Sequence, residues 1–151
     1  MHTRRKPTVL LVEDDPGHAL LIEKNLRRAG VADPIVSLRS GREALDYLDR
    51  QCAAGHASDK EAILMLLDLN MPVLDGYDVL RAVKSHERTR SIPVVVLTTT
   101  DSPPEIERCY KLGCNAYITK PVDYEQFSDV MRRLGMFLSI VKLPTREECH
   151  G

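Results

Sequence analysis

Long apolar runs are missing from this sequence of 151 residues. The longest covers residues 62–67, whereas a membrane-spanning helix needs about 20 apolar residues. Near the start of the chain only Val9 to Val12 form an apolar stretch before an acidic group, and a secretory signal needs roughly 7–15 apolar residues. We therefore expect a cytoplasmic protein with neither a membrane span nor a secretory signal.

An excess of charge is also absent, because 21 Lys+Arg balance 22 Asp+Glu. The one basic cluster is short and lies at residues 4–6, so the charge gives no indication of nucleic-acid binding. Glycine-rich phosphate loops are absent too, which argues against a nucleotide-binding enzyme. The cysteines have neither C-x-x-C nor metal-type spacing, and we interpret them as reduced thiols. They are Cys52, Cys109, Cys114 and Cys149.

The sequence does contain a regular alternation of short apolar runs and longer amphipathic segments. The apolar runs lie at residues 9–12, 35–36, 63–67, 94–97 and 117–118. Helices are predicted at residues 16–29, 40–51, 75–85 and 103–112, and from Asp123 onward. Continuous apolar strands that alternate with amphipathic helices are typical of a parallel sheet covered on both faces. The pattern predicts one α/β domain of five strand–helix units.

Polar side chains follow four of these apolar runs. In an open α/β sheet, chemistry gathers in the crevice beyond the carboxyl ends of the strands, so we expect these side chains to converge there. They are Glu13 and Asp14 after the first run, Asp68 after the third, Thr98 and Thr99 after the fourth, and Lys120 after the fifth.

Three carboxylates at neighbouring strand ends require compensation. Two like charges about 4 Å apart repel by roughly 4 kcal/mol at an effective dielectric constant near 20, so the cluster must share protons, bind a cation or be held apart. Oxygen ligands without histidine or cysteine favour Mg²⁺ over zinc or copper. A carboxylate beside a cation, a lysine and a hydroxyl can accept a phosphoryl group as a nucleophile. Asp68 is the best candidate, because it ends the most apolar run.

The motifs around these residues resemble the CheY-like receiver domain of two-component response regulators. The matching phrases are Leu11-Val-Glu-Asp-Asp15, Leu67-Asp-Leu-Asn-Met-Pro72 with Asp75-Gly76, Val96-Leu-Thr98 and Ala116-Tyr-Ile-Thr-Lys-Pro121. Their order and spacing agree over about residues 7 to 134. The resemblance implies a flavodoxin-like, doubly wound (βα)5 parallel sheet with strand order 2-1-3-4-5, phosphorylated by a histidine kinase.

The resemblance also implies a magnesium site next to the phosphoacceptor Asp68. Asp14 and Asp68 would bind Mg²⁺ directly, and Glu13 would act mainly through a metal-bound water. Asn70 would contribute its backbone carbonyl. Many receivers have two aspartates where this chain has Glu13 and Asp14, and the longer side chain alters the placement of water but leaves the site intact.

A second group of residues is implied to contact the phosphoryl group. Thr98 and Lys120 would bind it, with help from the backbone amide of Thr99. Tyr117 matches the aromatic switch position, whose ring turns inward when Thr98 moves toward the phosphate. The alternative for Tyr117 is an ordinary half-buried strand aromatic.

Three nearby features have ordinary structural explanations. Asp15 stands directly before Pro16, so we interpret it as a helix N-cap rather than a metal ligand. His18 follows on the same predicted helix and is assigned no role. The Lys120–Pro121 bond takes either the cis or the trans form, and the sequence leaves this open.

No output domain fits after Leu134, so we expect a stand-alone regulator. Residues 1–7 would be an N-terminal arm, residues 8–134 the receiver domain, and residues 135–151 a C-terminal helix extension and tail. The longer phrases at residues 98–101, 109–117 and 120–127 resemble the single-domain regulators that partner bacterial and cyanobacterial phytochrome kinases. Such a protein signals through a surface change and loses its phosphate slowly to water; it is not a turnover enzyme.

Three other functions remain open from the sequence. The same chemistry would serve a shuttle that passes the phosphoryl group to a histidine phosphotransfer protein. A phosphohydrolase with an aspartyl-phosphate intermediate belongs to a different class, and it typically places a second acid two residues after the nucleophile. This chain has Asn70 there, which cannot act as a general acid. A structural pseudo-receiver that never binds phosphate is the third.

The end of the chain carries an additional apolar stripe. Apolar residues recur at steps of three and four from Phe127 to Val141, beyond the point where a lone receiver would bury its last helix. We expect an exposed apolar patch, which favours a homodimer through the last helix and its extension. The alternative is that this segment folds back on its own sheet. The residues expected to be exposed are Phe137, Leu138, Ile140 and Val141.

Overall fold

The computed structural model describes residues 8–53, 63–71 and 76–140. Its strands are β1 (Thr8–Val12), β2 (Ile35–Leu38), β3 (Ile63–Asp68), β4 (Val94–Thr98) and β5 (Ala116–Thr119). Its helices are α1 (Pro16–Arg28), α2 (Gly41–Ala53), α3 (Gly76–Ser85), α4 (Pro103–Leu112) and α5 (Tyr124–Ile140). All paired strands are parallel, in the order β2-β1-β3-β4-β5. The predicted (βα)5 fold and strand order are therefore confirmed.

The sheet has helices on both faces, and this explains why its central strands are apolar throughout. Every residue of β1, β3 and β4 is buried, whereas most residues of the edge strands β2 and β5 are only half-buried. Leu10 and Val12 of β1 face a core formed with α2, α3 and α4. Val9 and Leu11 face the opposite core, formed with α1 and α5. Successive side chains thus enter different cores, and both must be apolar.

Asp15 turns the chain from the end of β1 into α1. Its carboxylate Oδ1 accepts hydrogen bonds from the backbone N–H groups of Gly17 at 2.8 Å and His18 at 3.1 Å, with Pro16 in the first turn. The interpretation of Asp15 as an N-cap is confirmed. The cap places the first turn of α1 directly beside Glu13 and Asp14.

Gly76 allows α3 to begin against the end of β3. A Cβ atom at this position would lie 2.5 Å from the backbone oxygen of Asp68 and 2.5 Å from the Cα atom of Leu69. No side chain fits that distance without moving the backbone at the end of β3. Close packing of this helix therefore helps to fix the position of Asp68.

Helix α5 continues without a break past residue 134 to Ile140, along α1. Gly135 permits the close approach, because a Cβ atom there would lie 2.5 Å from the Cβ atom of Ala29. Leu138 is buried against the core of α1 and α5, so its expected exposure is wrong. Phe137 and Ile140 are exposed as expected, at 57% and 79%. Val141 lies outside the described residues.

Two of the four cysteines have described side chains, and both Cys109 and Cys114 are buried, free thiols. Burial raises the pKa of both, that of Cys114 to about 11. Thiols of this kind are unreactive at neutral pH. In the described ranges, no helix combines the length and the apolar character needed to cross a membrane.

Candidate functional site

Three carboxylates meet at the carboxyl ends of β1 and β3. These strands are neighbours, with Val12 paired to Leu67, so the residues that follow in register stand side by side. Glu13, Asp14 and Asp68 each place a carboxylate oxygen within 4.8 Å of the others. Glu13 and Asp68 are buried, and Asp14 is half-buried. The structure thus brings together the three acids expected from the sequence.

Lys120 reaches into this cluster from the end of β5. Its Nζ atom lies 3.2 Å and 3.3 Å from the two carboxylate oxygens of Glu13, and 3.5 Å from Oδ2 of Asp68. Only 5% of its side chain is exposed. The described residues contain no cis peptide bond, so the bond from Lys120 to Pro121 is trans. One buried cation therefore faces two buried carboxyl groups.

The electrostatics of the cluster are dominated by burial. The pKa of Glu13 is raised to about 8; desolvation by burial is the largest cause, the hydrogen bond with Asp68 adds to it, and Lys120 opposes it. A carboxyl group with this pKa is mainly protonated at pH 7. The raised pKa of Glu13 lowers the negative charge of the cluster, and protonation is one of the three solutions that the sequence required.

The donor set of the cluster fits a hard divalent cation. All three carboxylates offer oxygen ligands, and Asp14 is open enough to leave room for water. Hard cations such as Mg²⁺ and Mn²⁺ prefer such ligands and commonly retain bound water. The acidic cluster is therefore suited to a divalent metal ion.

His18 is a neighbour of the site, to which the sequence analysis assigned no role. Its Nδ1 atom lies 3.2 Å from Oε1 of Glu13 and 4.0 Å from Oδ2 of Asp15. The ring also stands 6.0 Å from that of Phe127 on α5. The sequence signal was the cap at Asp15, because a helix that starts there turns its third residue back over the end of β1.

Asn70 connects the loop after β3 with the loop after β4. Its backbone N–H donates to Oδ1 of Asp68 at 2.9 Å. Its side-chain Nδ2 lies 3.0 Å from the hydroxyl oxygen of Thr98 and 3.4 Å from that of Thr99. Thr98 is 1% exposed, and its hydroxyl oxygen also accepts the backbone N–H of Thr100 at 3.3 Å. No carboxylate occupies this position two residues after Asp68.

Tyr117 connects β5 with the loop after β4. Its ring is half-buried against the core of α2, α3 and α4, and its hydroxyl donates a hydrogen bond to the backbone oxygen of Thr100. Burial raises the pKa of Tyr117. The aromatic side chain on β5 is thereby tied to the loop that carries Thr98 and Thr99.

Comparison with known proteins agrees with this architecture. The model of the response regulator receiver domain family matches residues 9–132. The response regulator Rcp1 of Synechocystis sp. is 32% identical over 137 residues, which cover 90% of this chain and 92% of Rcp1. The Mn²⁺-bound crystal structure of Rcp1 has a TM-score of 0.79 and 30% identity, covering 92% of this chain and 99% of that chain.

Two further crystal structures are similar. A response regulator receiver domain from Rhodospirillum rubrum has a TM-score of 0.86 and 51% identity, covering 93% of this chain and 99% of that chain. The phosphorylated cyanobacterial phytochrome response regulator RcpA has a TM-score of 0.80 and 36% identity, with the same coverage of 93% and 99%. With the family model spanning most of its length, the chain belongs to the response regulator receiver domain family of two-component signalling.

Proposed function

We propose that this protein accepts a phosphoryl group from a phosphohistidine of a histidine kinase on the carboxylate of Asp68. The observation that carries the proposal is the convergence of Asp68, Lys120 and the two acids after β1 in one largely buried cluster. In the transfer, an oxygen of Asp68 forms a bond to phosphorus while the N–P bond to histidine breaks. The kinase histidine leaves as a free imidazole.

Each residue of the cluster has a distinct role in this transfer. Oδ1 of Asp68 accepts the N–H of Asn70, while Oδ2 faces Lys120 at 3.5 Å and is the oxygen we assign as nucleophile. The ammonium group of Lys120 stabilises the negative charge on the phosphoryl oxygens. The hydroxyl of Thr98 and the backbone amide of Thr99 donate to the same oxygens. Reorganisation around Thr98 then reaches Tyr117 through the loop after β4, which changes the surface at α4 and α5.

We propose Mg²⁺ as the cation of the acidic cluster, held by Glu13, Asp14, Asp68 and the backbone carbonyl of Asn70. When bound, the ion neutralises charge on the acceptor and on the transferring group. The all-oxygen donor set supports this assignment, and so does the Mn²⁺ in the structure of Rcp1. Beyond one phosphoryl group per chain and its slow hydrolysis, we propose no enzymatic turnover.

A phytochrome histidine kinase is the proposed phosphodonor, because RcpA is a phytochrome response regulator and resembles this chain over 93% of its length. The test is a phosphotransfer assay with purified autophosphorylated kinases, one phytochrome kinase and one kinase with a different sensor. We expect faster transfer from the phytochrome kinase and an acyl phosphate that hydroxylamine removes. Equal transfer from both kinases would contradict the proposed partner, and no transfer from any kinase would contradict the proposed function.

We also propose that the protein forms a homodimer through α5 and the residues after it. Met136, Phe137 and Ile140 expose 56%, 57% and 79% of their surface, and exposed apolar patches commonly mark interfaces. Phe137→Asp is expected to weaken self-association at least tenfold in sedimentation experiments. Leu20→Asp is the matched control, because Leu20 is an equally exposed apolar residue on α1. A monomeric wild type at roughly 100 μM would contradict the proposal.

A further inference from the structure

The side chain of Asn70 makes a contact that the proposed chemistry leaves unused. Its amide nitrogen has two hydrogens, and it lies within hydrogen-bond distance of the hydroxyl oxygens of Thr98 and Thr99. The backbone N–H of the same residue donates to Asp68. One residue therefore contacts both the proposed phosphoacceptor and the proposed phosphoryl-binding hydroxyl.

The hydrogen-bonding capacity of the Thr98 hydroxyl is limited. A hydroxyl oxygen accepts two hydrogen bonds and donates one. The Asn70 amide at 3.0 Å and the Thr100 backbone N–H at 3.3 Å occupy both acceptor positions. Because Thr98 is 1% exposed, water does not compete for these positions. The hydroxyl is left with its O–H group alone, as a donor.

We infer that Asn70 is a positioning residue that presets the Thr98 hydroxyl as a hydrogen-bond donor to the phosphoryl group on Asp68. The inference rests on the proposed function and deepens it. A phosphoryl group bound to a carboxylate presents only acceptor oxygens, so a hydroxyl that rotated to accept a hydrogen bond would repel it. The Asn70 amide donates to one lone pair of the Thr98 hydroxyl oxygen and thereby excludes the accepting orientation before the phosphoryl group binds. Less reorganisation of the hydroxyl is then required on binding.

The same contact links phosphorylation to the aromatic switch. Thr100 donates its N–H to Thr98, and its backbone oxygen accepts the hydroxyl of Tyr117. A hydrogen-bonded path therefore runs from Asn70 through Thr98 and Thr100 to Tyr117. Movement of Thr98 toward a phosphoryl group changes the loop that holds the tyrosine.

A double-mutant cycle on the full chain tests the inference. The probe is beryllofluoride, a phosphoryl analogue, titrated at saturating Mg²⁺ and followed by ¹⁹F NMR. Asn70→Ala keeps the backbone N–H and carbonyl and removes only the amide. We expect it to weaken beryllofluoride binding about fivefold, the effect of one net hydrogen bond. In a Thr98→Val background the same substitution is expected to change the affinity less than twofold.

Thr99→Val is the matched control, because Thr99 also contacts the Asn70 amide and keeps its own backbone N–H in the variant. The fivefold loss is expected to persist in the Thr99→Val background. Thr98→Ala replaces Thr98→Val if the latter unfolds. An effect of Asn70→Ala that survives without the Thr98 hydroxyl overturns the inference, and so does an increase in affinity. A wild type that binds no beryllofluoride would instead contradict the proposed function.

Discussion

The Asp68→Asn variant is expected to accept no phosphoryl group and yet to be more stable than the wild type in a chelating buffer. The amide of asparagine is no nucleophile, so phosphorylation falls below detection. The substitution is expected to stabilise the folded protein although it abolishes phosphorylation, because Asp68 stands within 4.8 Å of two other carboxylates. Two full charges at such a distance repel by about 3–4 kcal/mol at a dielectric constant near 20. Burial adds the cost of desolvating Asp68, and Lys120 and the raised pKa of Glu13 offset part of the total. We expect a gain of about 1–2 kcal/mol in the free energy of unfolding.

Two measurements on the same protein preparation check this prediction. Intact-mass spectrometry after incubation with phosphoramidate and Mg²⁺ measures phosphorylation, and urea unfolding with EDTA measures stability. The matched control is Asp15→Asn, since Asp15 is an exposed acid beside the cluster and asparagine caps helices as well as aspartate does. The control is expected to keep both properties. A destabilised Asp68→Asn protein would show that repulsion does not govern the cluster.

The sequence predicted the fold and the convergence of the acids for the same physical reason. Continuous apolar runs require a sheet buried on both faces, and parallel strands bring their carboxyl ends to one edge. Glu13 directly follows β1 and Asp68 ends the neighbouring β3, next to the pair Val12–Leu67, so their meeting needed no knowledge of the loops. Lys120 is the harder case, because β3 and β4 lie between β5 and β1, so the strand order alone does not bring its side chain to Glu13.

The features that the sequence did not predict depend on loop geometry and on packing between helices. The contact of Asn70 with Thr98 joins the loop after β3 to the end of β4, and no periodicity describes the backbone of that loop. The burial of Leu138 follows from the crossing of α5 over α1, which Gly135 makes close. An apolar stripe shows that a helix face is covered, but it does not distinguish the protein's own α1 from a second molecule.

Metal binding competes with protonation of Glu13, because both use the same carboxylate oxygens. Glu13 holds its proton through burial and its hydrogen bond with Asp68, whereas a divalent cation needs the carboxylate form. Occupation of the cluster by a cation must therefore displace this proton. The pH dependence of stability reports how tightly the proton is held.

In a chelating buffer, the wild type is expected to lose stability relative to Glu13→Gln as the pH rises from 5 to 9. The pKa of Glu13 is about 8 in the folded protein against an ordinary value of 4.5, so the folded state binds more protons between these values. The stability that the protonated group contributes is complete below pH 4.5 and is lost as the pH rises through 8. The expected slope of the difference is about 1 kcal/mol per pH unit within this window.

Urea unfolding of both proteins at several pH values measures that difference. His18, whose Nδ1 atom lies 3.2 Å from Oε1 of Glu13, is present in both proteins, so the two differ only at position 13. Saturating Mg²⁺ supplies the second arm of the experiment, because a bound cation holds Glu13 in its carboxylate form and flattens the pH dependence. A difference that stays constant from pH 5 to 9 in the chelating buffer would mean that Glu13 is ionised throughout. In that case Lys120, rather than a proton on Glu13, would be what neutralises the buried acids.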